Sequence, residues 1–367
     1  MKKIFLFAAA AAMMVLASCN KESQPESVSV VNAGPSRVTL GISSIATKAT
    51  IDDTEAEAKV NSIQVFVFNG DAVDAYHNAS ASEIAALRVE VNATAGVRDI
   101  YAFVNANDLS SYTSKVALLG ATTTLGDNGY AADSFVMSGK LLSQTLTASY
   151  SNTILVDRYT SRIRIHKITR NFSGGLAAVA FRINRIYLTS AVTNERYDFG
   201  APAEYSWINK SFGPVSGRAL ATSNAFVYQA LGTPAVVANS ASYQPAVPHS
   251  FYAYANVNAN VSAGDSGINQ TYRNTRLVVE CQVDTDNDGS FEADEFYTYP
   301  ISMGAIGNNK SYEINELVLT MLGNPSDGDD NADDGEDDDI SKVVASFSIS
   351  VNDWEEVLVG VNGTVTI

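Results

Sequence analysis

Val357-Leu-Val-Gly-Val-Asn-Gly-Thr-Val-Thr-Ile367, the last eleven residues, places Val357, Val359, Val361, Val365 and Ile367 at every second position. Gly363 takes the remaining place on that face. The other face carries Gly360, Asn362, Thr364 and Thr366 beside Leu358. A period of two gives an extended strand with one apolar and one polar side. Two readings follow: a last core strand of a β-sandwich, or a strand made to be lent to a neighbouring molecule. The start of the chain bears on the choice.

The same alternation recurs upstream. Val38, Leu40 and Ile42 alternate with Thr39, Gly41 and Ser43, which predicts a first strand over 38–44. Residues 60–68 (VNSIQVFVF) are apolar on both faces and predict a central strand, and residues 100–105 predict another. Leu87, Val89 and Val91 suggest a half-exposed strand, and residues 135–139, 141–146 and 152–156 supply short ones. Ile163 and Ile165 alternate with Arg162, Arg164 and His166, which predicts a solvated His166. Beyond Gly175 the pattern restarts at Val179, Phe181 and Ile183, and it returns over 276–283, 296–301, 311–322 and 343–351. Residues 200–250, rich in Gly, Pro, Asn and Ser, read as loops with short strands. Residues 108–119 are the best helix prediction, with Asp108 as N-cap. Many short strands, frequent turn signals and little helix predict an all-β chain of two β-sandwiches, over residues 37–165 and 166–367.

Lys2 and Lys3 precede an apolar stretch, 4–17, too short to span a bilayer and suited to a secretory signal peptide. It ends in Leu16-Ala-Ser-Cys19, which resembles the lipobox of bacterial lipoproteins, where the Cys thiol receives the lipid. Asn20-Lys-Glu22 resembles the surface-export signal of Bacteroidetes lipoproteins. Residues 20–36 then read as a tether. Cys281 is the only other cysteine, so no intramolecular disulfide forms once Cys19 is acylated. It alternates with Leu277, Val279 and Val283 and reads as a small core residue.

The net charge is −16, and nine of the acidic residues lie in one run over 327–339, which reads as a solvated, disordered loop. No basic patch invites nucleic acid. His77, His166 and His249 belong to no catalytic signature, and there is no phosphate-binding glycine loop or nucleophile elbow. Nothing in the sequence supports an enzyme.

One stretch does match a ligand pattern. In residues 284–295, Asp284, Asp286 and Asp288 occupy positions 1, 3 and 5 of a calcium loop, with Gly289 at 6, Ser290 at 7 and Glu295 at 12. A hard cation takes six or more oxygens, the glycine permits the sharp turn, and the final Glu binds through both oxygens. Strands rather than helices flank this loop, and the alternative is a solvated acidic hairpin. A calcium ion here would pin a loop and perform no catalysis.

Lys59-Val-Asn-Ser-Ile-Gln-Val-Phe-Val-Phe-Asn69, Ile100-Tyr-Ala-Phe-Val-Asn-Ala-Asn107, Phe135-Val-Met-Ser-Gly139, Tyr312-Glu-Ile-Asn315 and the terminal block with Trp354, in this order and with the lipobox, resemble the Bacteroidales fimbrillins, the FimA-like type V pilins. The resemblance implies transthyretin-like (Greek-key) sandwiches and assembly into an adhesive surface fimbrium with other copies and with tip and anchor subunits. It implies a precursor held in the outer membrane by lipid (palmitate) on Cys19. A trypsin-like surface protease then cuts after a basic residue in the loop beyond the first strand. That strand leaves, and a terminal strand of another subunit fills the groove by strand addition. Here the cut would separate Lys48, the only basic residue of loop 43–53, from Ala49, and the donor would be residues 357–367. Its five apolar side chains, at roughly 1.5–3 kcal/mol each, give about 8–15 kcal/mol before ordering costs. One departure stands out: the best-known family members are cut after Arg, whereas this loop offers Lys48. Arg37 precedes the predicted first strand, so a cut there leaves the groove filled.

Rival readings are an unprocessed anchor subunit and a monomeric surface lipoprotein that binds glycan. The latter would use Trp207, Tyr243, Tyr252 and Tyr254 as an exposed platform. A secreted hydrolase is a third, which no motif favours.

Overall fold

The computed structural model describes residues 34–44, 56–127, 129–211, 218–257, 274–332 and 345–353. The first eight strands are β1 (Pro35–Ser44), β2 (Ile63–Asn69), β3 (Ala72–Asn78), β4 (Arg88–Thr94), β5 (Gly96–Val104), β6 (Thr122–Thr124), β7 (Met137–Leu146) and β8 (Ser149–Arg158). All but β6 form one sheet in the order β3-β2-β5-β7-β8-β1-β4. β7 and β8 pair only at Met137 with Arg158 and Ser138 with Asp157. Beyond that corner the sheet opens into two leaves, β3-β2-β5-β7 and β8-β1-β4. Val65, Val67, Ile100 and Ala102 of one leaf share a core with Val38, Leu40, Val89, Val91 and Ile154 of the other. Gly139 sits at the corner, where a Cβ would lie 2.0 Å from the Leu155 carbonyl oxygen, so no larger residue fits.

The double-sided apolarity of β2 and β5 has a physical cause. Their alternate residues Phe66, Phe68, Tyr101 and Phe103 face away from the sandwich core into a second, aromatic one with Phe135, Tyr159 and Tyr197. Phe103 meets Tyr197 edge-on at 5.3 Å, a favoured ring geometry.

The chain passes from the first sheet into the rest of the molecule at Tyr159. The remaining strands are β9 (Thr160–Ile165), β10 (Ile168–Arg170), β11 (Phe181–Thr189), β12 (Ala191–Val192), β13 (Asn194–Arg196), β14 (Trp207–Ile208), β15 (Tyr228–Val236), β16 (Ser242–Tyr243), β17 (His249–Tyr254), β18 (Arg276–Val283), β19 (Phe296–Ser302), β20 (Lys310–Leu319), β21 (Asn324–Ser326) and β22 (Ala345–Asp353). β9 and β10 lie end to end along one side of β20, both parallel to it, and β22 pairs antiparallel on the other side. A second sheet runs β15-β11-β18-β19-β21. Ile163, Ile314 and Leu317 of one sheet and Ile183, Leu277 and Cys281 of the other share the aromatic core. The architecture is all-β sandwich, as expected. Cys281 is fully buried, and burial pushes its thiol well above the usual range, which leaves it inert.

Local differences from expectation have local reasons. Residues 108–119 are not one helix. The Asp108 carboxylate accepts the Ser110 N–H at 2.9 Å, closing a turn instead. The helix that forms, α2, is only Lys115–Gly120, capped by Ser114. A second short helix, α1 (Ala81–Ala86), carries a full capping box from Ser80 and Glu83. Arg37 lies inside β1, not before it.

Candidate functional site

β1 is held on both sides. Seven of its residues pair antiparallel with β4, from Pro35 opposite Thr94 to Gly41 opposite Arg88. Eight pair parallel with β8, from Arg37 opposite Ser149 to Ser44 opposite Val156. Val38 and Leu40 are 0% exposed and Ile42 is 5% exposed, so the expected alternation is present. On the outer face Arg37 forms an ion pair with Glu90. Gly41 lies against Thr153, and a Cβ at 41 would come 3.1 Å from the Thr153 hydroxyl oxygen. Among the described residues β4 has no strand neighbour except β1, and β8 has otherwise only its two pairs with β7. Withdrawal of β1 would uncover an apolar slot and two strand edges together.

Lys48 and Ala49 fall in 45–55, outside the described residues. Cys19 and the strand residues Val357, Val359, Val361, Val365 and Ile367 also lie outside them. β22, the last described strand, ends with Asp353 opposite Lys310.

The chain resumes at Ala56, and Glu57 is at once buried, 1% exposed. Arg162 of β9 donates from Nη1 to Glu57 Oε2 at 2.6 Å. The Tyr252 hydroxyl of β17 donates to Oε1 at 2.5 Å, and Arg158 Nε of β8 donates to the Glu57 carbonyl at 3.0 Å. One residue of the segment after β1 is thus clasped by β8 of the first sheet and by β9 and β17 of the sheet that holds β20. Arg162 Nε also donates to Ser311 Oγ at 2.8 Å, and its Nη2 lies 3.5 Å from Glu313. His166 Nε2 is 2.6 Å from the other Glu313 oxygen, so His166, half-buried rather than fully solvated, belongs to this network. Burial pushes the Glu313 carboxyl up, but the hydrogen bonds from His166 and Ser311 outweigh it and hold it below the usual range. Burial and the Glu57 charge push the Tyr252 phenol up.

β18 and β19 form a hairpin, paired from Arg276 opposite Ser302 to Gln282 opposite Phe296, with residues 284–295 as its loop. Carboxylate oxygens of Asp284, Asp286 and Glu295 lie within 4.8 Å of one another. Asp288 instead groups with Asp286 and Glu292, and the Ser290 N–H donates to Asp288 Oδ1 at 2.8 Å. The two Asp284 oxygens accept the N–H groups of Asp288 and Gly289, each at 3.1 Å. Gly289 adopts φ +91°, which glycine alone tolerates well. Burial raises the Glu295 carboxyl, and the N–H groups of Glu292 and Thr285 outweigh it, so it stays below the usual range and charged. Three of the five predicted ligands therefore converge, on a turn held by backbone donors. The donor set, all hard oxygen, fits calcium.

The aromatic platform that a glycan-binding reading requires does not form, and Trp207 is half-buried. Tyr252 and Tyr254 are buried, and Tyr243 is half-buried with its hydroxyl 2.8 Å from His249 Nε2. Tyr252 packs against Phe135 and Phe226, and Tyr254 against Tyr159. A cleft of about 360 Å³ opens elsewhere, where β7 and β8 part, lined by Tyr101, Lys140, Asp157, Tyr197, Asp198 and Phe199. The acidic run is also not wholly a solvated loop. Asp330 pairs with Arg185, itself bridged to Glu280 at 2.6 Å, and Ala332 is fully buried. Residues 333–339 lie outside the described residues.

The sequence matches no curated protein. Residues 36–177 match the family model of the major fimbrial subunit protein (FimA). Among solved structures, a fimbrilin (FimA) from Porphyromonas gingivalis is similar with a TM-score of 0.59 at 15% identity, over 86% of this chain and 96% of that one. A candidate cell adhesion protein from Parabacteroides distasonis gives 0.56 at 16% identity, over 88% and 98%. Another from Bacteroides eggerthii gives 0.54 at 16% identity, over 86% and 96%. At such identities the likeness is one of fold. In sequence, residues 36–177 are similar to the FimA-type fimbrial subunits, and the described chain shares the fold of the solved fimbrilin.

Proposed function

We propose that this chain is a structural subunit of an adhesive cell-surface fimbrium, exported as a lipoprotein on Cys19 and cut between Lys48 and Ala49 by a trypsin-like surface protease. It polymerises when residues 357–367 of one copy fill the β1 slot of the next. The observation that supports this reading best is the position of β1. It is the first described strand, its departure would open two edges and an apolar slot, and the segment joining it to the rest of the chain holds Lys48. Glu57, beyond the cut, stays clasped by Arg162, Tyr252 and Arg158, so the new N-terminal segment remains fixed to the subunit. The test is Lys48→Ala, which should abolish trypsin-induced assembly of the purified non-lipidated protein. Unchanged assembly would move the cut elsewhere.

The converged carboxylates of the 284–295 hairpin support a calcium ion held by Asp284, Asp286 and Glu295, with Asp288 and Ser290 at the remaining loop positions. At a hundredfold excess over Kd, calcium adds about 2.7 kcal/mol and raises Tm by roughly 5–10 °C. Asp284→Ala should lose that rise. Equal responses of variant and wild type would remove the loop from the assignment.

A further inference from the structure

The slot that β1 fills has three inward apolar positions two residues apart, taken by Val38, Leu40 and Ile42, with the small Ser36 buried ahead of them. Its outward position 41 is tight, because a Cβ there meets the Thr153 hydroxyl at 3.1 Å. The resident strand reads Val38-Thr-Leu-Gly-Ile42, apolar at its first, third and fifth residues and glycine at its fourth. The terminal stretch contains the same pattern once, as Val357-Leu-Val-Gly-Val361. We propose that the terminal strand enters the slot in the direction of β1, with Val357, Val359 and Val361 replacing Val38, Leu40 and Ile42 and with Gly360 on the place of Gly41. This names the register of the strand-exchange reading above and rests on it.

The alternatives can be worked through. Only the odd-numbered residues of 357–367 form an apolar face, so three consecutive odd positions must fill the three slots. The sets starting at 359, 361 or 363 each put Gly363 in a slot and leave a void where a branched side chain was. The set 357, 359 and 361 supplies three valines. It can enter in either direction. Along β1 it sets Gly360 on position 41 and Leu358 on position 39. Against β1 it sets Leu358 on position 41, where even its Cβ crowds Thr153. Sterics therefore select the direction of β1, parallel to β8 and antiparallel to β4.

One term opposes this choice. Glu356 then takes the place of Arg37, beside Glu90. The resident pair is 64% and 40% exposed, so a repulsion there is screened by water and salt. Pairing starts no earlier than Glu356, because Glu355 would otherwise fall on Ser36, which is 1% exposed. Asn362 and Gly363 reach the places of Ser43 and Ser44. Val365 and Ile367 run past the end of β1, outside its three inward positions.

Disulfide trapping reads the register directly. Thr39 is opposite Glu90 on β4. Opposed residues of an antiparallel pair lie about 4.5–5.5 Å apart, within disulfide range. Full-length non-lipidated chains carrying Glu90→Cys are mixed with chains carrying Leu358→Cys or Gly360→Cys, treated with trypsin and oxidised. Cys19 lies upstream of the cut and Cys281 is buried, so neither competes. The expected result is at least tenfold more intersubunit product with Leu358→Cys than with Gly360→Cys. The opposite ratio would overturn the direction. Ladders that form with neither crosslink would overturn the register and leave strand exchange standing. Wild-type chains that form no ladders would overturn the parent reading instead. Deleting residues 364–367 should keep ladder yield within about twofold of wild type, and a tenfold loss would put the buried contacts at Val365 and Ile367 and overturn the assignment.

Discussion

Deletion of residues 357–367 is expected to abolish trypsin-induced polymers and to leave a folded monomer with an unchanged melting temperature. The slot of β1 takes three inward apolar side chains. Filling it with three valines gains about 5–9 kcal/mol before ordering costs, and the backbone bonds to β4 and β8 are restored as well. A head-to-tail contact of this kind does not close on itself and grows a filament. Without the donor, the opened edges of β4 and β8 have nothing to capture. Size-exclusion chromatography and a thermal melt on the uncut variant and its trypsin product check both halves. Persistent filaments would reject the donor role. A monomer that melts well below wild type would return the terminal strand to its own core.

Arg162→Ala has the second large effect. Arg162 is 0% exposed and lies between Glu57 and Glu313, both nearly as buried. Removing it takes the guanidinium from between two buried carboxylates, a change that costs about 3–5 kcal/mol. For a domain of this size that lowers Tm by roughly 6–20 °C. Glu57→Gln keeps the shape and an acceptor for Tyr252 and should lose distinctly less. Because Glu57 follows the segment that holds Lys48, the same variant should also loosen protection of the 56–59 segment against hydrogen exchange. A melt within a degree of wild type would mean that the cluster is wet and contributes little.

Sequence pattern revealed those elements whose burial is simple. β1 showed through strict alternation, and β2 and β5 showed through apolar residues on both faces, which the two cores on either side of their leaf explain. The hairpin around residues 284–295 was visible because its turn chemistry is local. The helix at 108–119 failed because Asp108 and Ser110 prefer a turn, and Ser114 caps only the last stretch. α1 had a readable signal in Ser80 and Glu83, but its six residues carry no apolar stripe to accompany it. Glu57 could not have been found. It sits among alternating acidic and alanine residues, and its partners Arg162 and Tyr252 are 105 and 195 positions away. The partner of His166 was hidden for the same reason: Glu313 comes from β20, 147 positions on.

The most direct test of strand exchange is the N-terminus of the assembled material. Trypsin-treated, purified, non-lipidated protein is separated by size, and the ladder and monomer fractions are sequenced from their N-termini. The account predicts that subunits in the ladders begin at Ala49 and that the fragment carrying β1 is absent from them. Ladders whose subunits retain residues 35–44 would contradict it, because a slot still filled by β1 cannot receive another copy's strand.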